Sequence, residues 1–199
     1  MALVPDFEFG LWNAWIIIVI SFVVSFLPLM VGGKKVEART EGEPAFRETG
    51  TSFRAGIIVT HAVLMPLTLI YSFFVPLEQG NWWLYSGLLV SAAGIIMVAA
   101  ASVTFATAPL GAPMTHGVYA ISRNPMYLSG FLVYAGVGLA GTSWVFLVCA
   151  VVEIGAYGLA VPEEERNMVA KYGSAYEDYM QRTPRWIGLP RAKQPAGTS

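Results

Sequence analysis

The stretch LWNAWIIIVISFVVSFLPLMV, residues 11–31, carries no charge over 21 positions. At about 1.5 Å per residue it crosses a hydrocarbon core of roughly 30 Å as a helix. A segment apolar all round, rather than on one stripe, finds its solvent in lipid. The preceding MALVPDFEFG holds two acids and no base, the opposite of the basic flank of a secretory signal peptide, so residues 11–31 read as a first membrane span. The composition agrees. The chain of 199 residues is 55% hydrophobic and 13% charged, more apolar than a soluble core of this size can hide.

Outward from this span the pattern repeats. Residues 55–77 and 82–107 give a second and a third span, with Trp82, Trp83 and Tyr85 placed as an interfacial aromatic belt. Residues 125–140 are short and contain Gly130, Gly136 and Gly138, and Gly141-Thr142-Ser143 leads into residues 144–161. These two read as a tight helical hairpin whose small residues permit close contact. The expected fold class is all-α, a polytopic membrane bundle of five transmembrane helices with a C-terminal cytoplasmic amphipathic helix. Three parts are expected: a three-helix membrane region over 1–107, a cofactor-binding region over 108–184, and a flexible tail over 185–199.

All twelve Lys and Arg lie within 34–54, at Arg123, or after 165. Five spans with an external N-terminus put every one on the cytoplasmic side. The net charge of −1, with no basic patch interleaved with aromatics, argues against a nucleic-acid partner. Cys149 is the single cysteine, so no intramolecular disulfide forms, and mid-span it reads as packing.

Polar groups at membrane depth are costly and therefore informative. Here they are Asn13, His61, Glu153 and a cluster at one mouth of the bundle. The mouth draws on two segments. HGVYAISRNPMYLSG (116–130) places Pro125 where a first helical turn wants it. VPEEERNMVAKYGSAYEDYMQRTP (161–184) reads as a helix begun by Pro162, with Glu163, Glu164 and Glu165 in its favourable first turn. Met168, Tyr172, Tyr176, Tyr179 and Met180 follow at helical spacing, the stripe of an amphipathic helix lying on the membrane or over the mouth.

Together the two segments resemble the isoprenylcysteine carboxyl methyltransferase family, whose C-terminal region is shared with phospholipid methyltransferases. The resemblance lies in Gly117-Val118-Tyr119, Arg123-Asn124-Pro125-Met126-Tyr127, the hairpin, Glu163-Glu164-Glu165, Tyr172-Gly173 and Tyr176-x-x-Tyr179, in that order. It implies an integral-membrane methyltransferase using S-adenosylmethionine, with a lipophilic small-molecule or lipid-anchored acceptor from the bilayer. Carried over by position, the cofactor contacts fall on Gly111, Ala112, Pro113, Met114, Tyr119, Asn124, Pro125, Met126, Tyr127 and Glu164. Arg123 is then the candidate for positioning the acceptor or stabilising charge. Methyl transfer from a sulfonium needs alignment and exclusion of water, not a metal, and no metal ligands are expected.

Two positions depart from the family pattern. Asn124 stands where the family has histidine, which keeps hydrogen bonding and loses titration near neutral pH. Ala160 stands where eukaryotic members have the arginine that holds the prenylcysteine carboxylate, and no Lys or Arg lies between Arg123 and Arg166. Glu153 precedes Glu164 by 11 positions, about three helical turns, so a continuous helix puts both on one face. On an acceptor tunnel Glu153 favours an amine head or acts as a base; otherwise it is a buried carboxyl, protonated or paired with His61 or Asn13. The nearest analogy is carboxyl O-methylation. Phospholipid amine N-methylation, thiol S-methylation, and a non-catalytic transporter or assembly factor are the alternatives.

Overall fold

The computed structural model describes residues 8–42, 51–77 and 80–189. Among them the protein is helical, with no strand and a single antiparallel bridge between Asn13 and Pro76. Helix α1 spans Trp15–Gly42; the second apolar segment is α2 (Thr51–Ile57), a π-helical stretch (Ile58–Leu64) and α3 (Met65–Ser72). Then come α4 (Trp82–Thr107), a 3₁₀ turn (Gly117–Ala120), α5 (Pro125–Ala140), α6 (Trp144–Tyr172) and α7 (Ser174–Arg182). Four helical segments are long and apolar enough to cross a membrane, and α5, at 16 residues, is the shorter fifth. Their outward faces carry exposed Val23, Met30, Leu67, Ile70, Leu89, Ile96, Val148 and Leu159. Such continuous apolar surface belongs in lipid, and the protein is an integral membrane protein.

Local chemistry sets the element ends. Asn81 caps α4, its side chain accepting from the Leu84 N–H at 3.1 Å. Pro125 opens α5 where its missing N–H costs nothing. The π stretch ends against Pro66, and the Met65 N–H reaches the Thr60 carbonyl one residue farther back than an α-turn would.

Small residues let α4 and α5 cross closely. A Cβ on Gly87 would strike the Ala140 amide and the Gly136 carbonyl, and one on Gly94 would come within 2.9 Å of the Ser129 carbonyl. The hairpin closes through the Ser143 N–H to the Gly138 carbonyl at 2.8 Å. At this end Ala14, Ile18, Val75, Val137, Phe146 and Ala150 form the apolar core.

The opposite end is polar. At Gly33 (φ 48°, ψ −126°) α1 bends, a backbone region that favours glycine. Beyond the bend Lys35 donates to the Thr107 carbonyl at 2.6 Å, and buried Arg39 donates to those of Ala108 at 2.7 Å and Pro109 at 3.0 Å. These cations satisfy the carbonyls that the end of α4 leaves over.

The C-terminal helix differs from expectation. Pro162 does not start a helix: α6 runs through it to Tyr172 and breaks at Gly173, whose φ is 57°. Glu163, Glu164 and Glu165 therefore lie in a helix interior, not a first turn. Proline removes one backbone hydrogen bond, and burial of Tyr157, Ala160 and Val161 before it and of Glu165 after it holds the helix together. The amphipathic helix is the shorter α7, which buries Tyr176 and Tyr179. Residues 183–189, some of them within the expected tail, lie along the 121–124 loop; residues 190–199 fall outside the described part.

Candidate functional site

One cavity occupies the polar end of the bundle and a second lies between it and the apolar core. The first, of about 110 Å³, is walled by Met114, Tyr119, Arg123, Asn124, Pro125, Met126, Tyr127 and Glu164, joined by Phe105, Met168, Tyr176 and Tyr179. The structure thus brings together eight of the residues predicted from sequence. Gly111 and Ala112 lie exposed in the loop after α4 and, with Pro113, stand outside this lining. Glu153 lies elsewhere, in the second cavity.

The loop and α7 clasp each other around the first cavity. The Tyr179 hydroxyl donates to the Tyr119 carbonyl at 2.7 Å, the Arg123 N–H to the Pro184 carbonyl at 3.0 Å, and the Gly188 N–H to the Ile121 carbonyl at 3.1 Å. Asn124 uses its side-chain amide for the same purpose, donating to the Arg185 carbonyl at 3.0 Å. Burial pushes the phenols of Tyr119, Tyr176 and Tyr179 above their usual range, with the charge of Glu164 adding at Tyr119.

Two carboxylates divide the polar work. Glu165, 3% exposed, takes Arg185 in a two-point contact at 2.6 and 3.2 Å and stands 3.3 Å from Arg123 Nη1. That contact holds the Arg185 guanidinium charged more firmly than usual. Glu164, the next residue, accepts from the Tyr127 hydroxyl at 2.9 Å and faces the cavity. The Arg123 side chain is 9% exposed, and its buried Nε and Nη1 make no hydrogen bond. A guanidinium with donors to spare beside a cavity suits a carboxylate.

Tyr127 also marks the boundary between the cavities. Its ring stacks on Tyr157 with centroids 4.0 Å apart, and together with Met126 it walls both spaces. The second cavity, of about 260 Å³, lies among all five apolar segments and reaches Ser21 and Ser25 of α1, His61, Ser102, Gly130, Tyr134 and Glu153. Neither suggested partner of Glu153 bonds to it. Asn13 donates to the Glu8 and Phe73 carbonyls at the far end, and His61 Nδ1 pairs with the Thr60 hydroxyl at 3.0 Å. The face shared by Glu153 and Glu164 is real, since α6 is continuous and each faces one cavity.

Sequence reasoning missed Phe105 and Glu165 as parts of the site and read Met168, Tyr176 and Tyr179 as the stripe of an amphipathic helix on the membrane or over the mouth, not as named site residues. The Tyr-x-x-Tyr spacing carried the signal for the last two.

No curated protein matches the chain. A family model described as phospholipid methyltransferase matches residues 82–175, from the start of α4 into α7. That range contains the motifs at 117–127 and 163–165, both walls that Met126 and Tyr127 give to the cavities, and the helices that carry them. With its apolar spans and this site, the region formed by residues 82–175 is similar to phospholipid methyltransferases.

Proposed function

We propose that the protein transfers a methyl group from S-adenosylmethionine to a lipophilic acceptor that reaches it from the bilayer. The observation that carries this reading is the shared wall: Met126 and Tyr127 separate a polar cavity at the loop end from a larger one among the spans. When bound, S-adenosylmethionine supplies an electrophilic methyl on a cationic sulfonium.

The residues present fit it. Arg123, ion-paired with Glu165 through Nη1 and with its Nε free of any hydrogen bond, suits its carboxylate, and Glu164, held by Tyr127, suits its amino group or ribose hydroxyls. Tyr119, Tyr176 and Phe105 offer ring surface for the adenine. The clasp of α7 on the 119–124 loop excludes water, and the stacked pair Tyr127 and Tyr157 fixes the passage between the cavities, so alignment supplies most of the catalysis. The polar end faces the cytoplasm in this reading, because the Lys and Arg residues gather there. The resemblance to isoprenylcysteine carboxyl methyltransferases makes a prenylated carboxylate the first acceptor to try, with lipid amines and thiols beside it.

Calorimetry with S-adenosylhomocysteine tests the reading on purified protein. Binding that weakens about tenfold in Arg123→Lys, where planar two-point pairing is lost, is the expected result. Absence of binding at millimolar ligand would sink it.

A further inference from the structure

We propose that the cavity around Glu153 is the head-group site for a lipophilic amine that carries no acidic group near its nitrogen; as the methyl acceptor, this amine rests on the reading above. Glu153 is 8% exposed and lines the cavity, and its Oε2 has no hydrogen-bond partner among the described residues. The space it occupies is kept open by glycine: a Cβ on Gly130 would stand 2.5 Å from Oε1. Four hydroxyls of the lining are committed elsewhere. Ser21 donates to the Ile18 carbonyl, Ser25 to that of Ser21 and Ser129 to that of Met126, while Tyr134 pairs with Thr68.

A carboxylate left unpaired at membrane depth is among the costliest arrangements a protein can hold. An amine head supplies the missing donors and, when protonated, the missing charge. The cavity holds far more than the roughly 15 Å³ one water needs.

The same lining excludes acids. No lysine or arginine among the described residues lines this cavity; Arg123 lines the other one and stands beside Glu165. A fatty or prenylated carboxylate would set two acids together without a cation. The phosphodiester of an aminophospholipid, a two-carbon tether from its nitrogen, meets the same repulsion. A thiol offers one weak donor. His61 lines the cavity and is exposed on the π-helical stretch. The second span meets α1 through α3 and α6 through α2 and the π stretch, which leaves the His61 edge as the proposed entry for the acceptor. On transfer the nitrogen lone pair forms the new N–CH₃ bond, the donor sulfur keeps the electron pair of the broken S–CH₃ bond, and the proton leaving nitrogen passes to the Glu153 carboxylate.

The test uses the full chain in lipid nanodiscs, with empty discs to subtract partitioning. Dodecylamine, dodecanoate, dodecane-1-thiol and dioleoylphosphatidylethanolamine serve as probes. Without cofactor, dodecylamine binds the wild type, and Glu153→Gln weakens it about thirtyfold, the loss of one partner from a buried charged pair. Gly130→Ala, which keeps the carboxyl but fills its space, weakens it as well, and thermal melts confirm that both variants fold. With tritiated S-adenosylmethionine, dodecylamine is labelled about tenfold faster than the other three, as the two acids are repelled and the thiol offers only a weak donor. Preference for dodecanoate, the thiol or the phospholipid overturns the amine site, as does dodecylamine binding indifferent to Glu153. The wild-type ranking decides even where a variant fails to fold. Glu153-dependent binding of dodecylamine without S-adenosylhomocysteine binding removes the methyl-transfer reading and leaves the amine site. The reverse removes the amine site alone.

Discussion

Glu165 holds two arginines that would otherwise be stranded: Arg185 in a two-point contact and Arg123 beside it, the latter buried. Removing one member of a buried charged set costs more than forming it gains, so Glu165→Gln should lose about 3 kcal/mol of stability. Thermal melting measures this, and calorimetry should show weaker S-adenosylhomocysteine binding, because Arg123 loses the carboxylate that positions it. Asn124→Ala removes a single neutral hydrogen bond to the Arg185 carbonyl and should cost about 1 kcal/mol by the same melt. The motif spacing made Arg123, Asn124, Tyr127 and Glu164 legible in the sequence. Glu165 was not, because Glu163-Glu164-Glu165 are chemically alike and only a rotation of about 100° per residue decides which one meets the arginines. That rotation was hidden by taking Pro162 as a helix start. Asn124 shows what a missing histidine costs: its observed task is to donate one hydrogen bond, which needs no charge.

Elements joined by glycine and proline show the same contrast. The α5–α6 hairpin was readable because Gly138, Gly141 and Ser143 sit where close approach and a turn both require them. The end of α6 was not, because Pro162 is the louder signal and the left-handed Gly173 the operative one. Gly87→Ala should push α4 off α5 at the Gly136 and Ala140 backbone and cost about 1–3 kcal/mol, seen as a lowered melting temperature. The clasp of α7 has its own pH response. Buried Tyr119, Tyr176 and Tyr179 hold their protons above the usual phenol range. The unfolded chain gives up those protons near pH 10, so folded stability is intact below that value and falls as pH rises beyond it. Tyr179→Phe, which also drops its bond to the Tyr119 carbonyl, should melt earlier at neutral pH by about 1 kcal/mol yet lose less on alkalinisation. Melting temperature followed against pH, beside tyrosinate absorbance, separates the two effects.

For the whole molecule, the division is between an apolar core at the hairpin end and the first cavity at the polar end, with the second cavity between them and sharing Ile18, Val133 and Tyr134 with the core. The spans themselves were legible because uncharged runs of about 20 residues have few other uses. The second cavity was not, because its walls come from five segments far apart in the chain and only packing shows that they converge. The proposed orientation has a direct check. Thr115→Cys, on the exposed loop, should react with a membrane-impermeant maleimide in inside-out vesicles and not in sealed right-side-out ones.

The Gly33 bend reaches further than the end of α1. It sends Lys35 and Arg39 across to the last carbonyls of α4 and the loop that follows, while the family match begins only at residue 82. The half of the chain outside the shared region thus grips the shared half at the point where its loop leaves the membrane. A chimera that grafts two foreign spans onto residues 82–189 inherits a working joint only if the donor also delivers two cations past a bend. Exchange of the N-terminal spans is then constrained at this seam more than by their lipid-facing sequence.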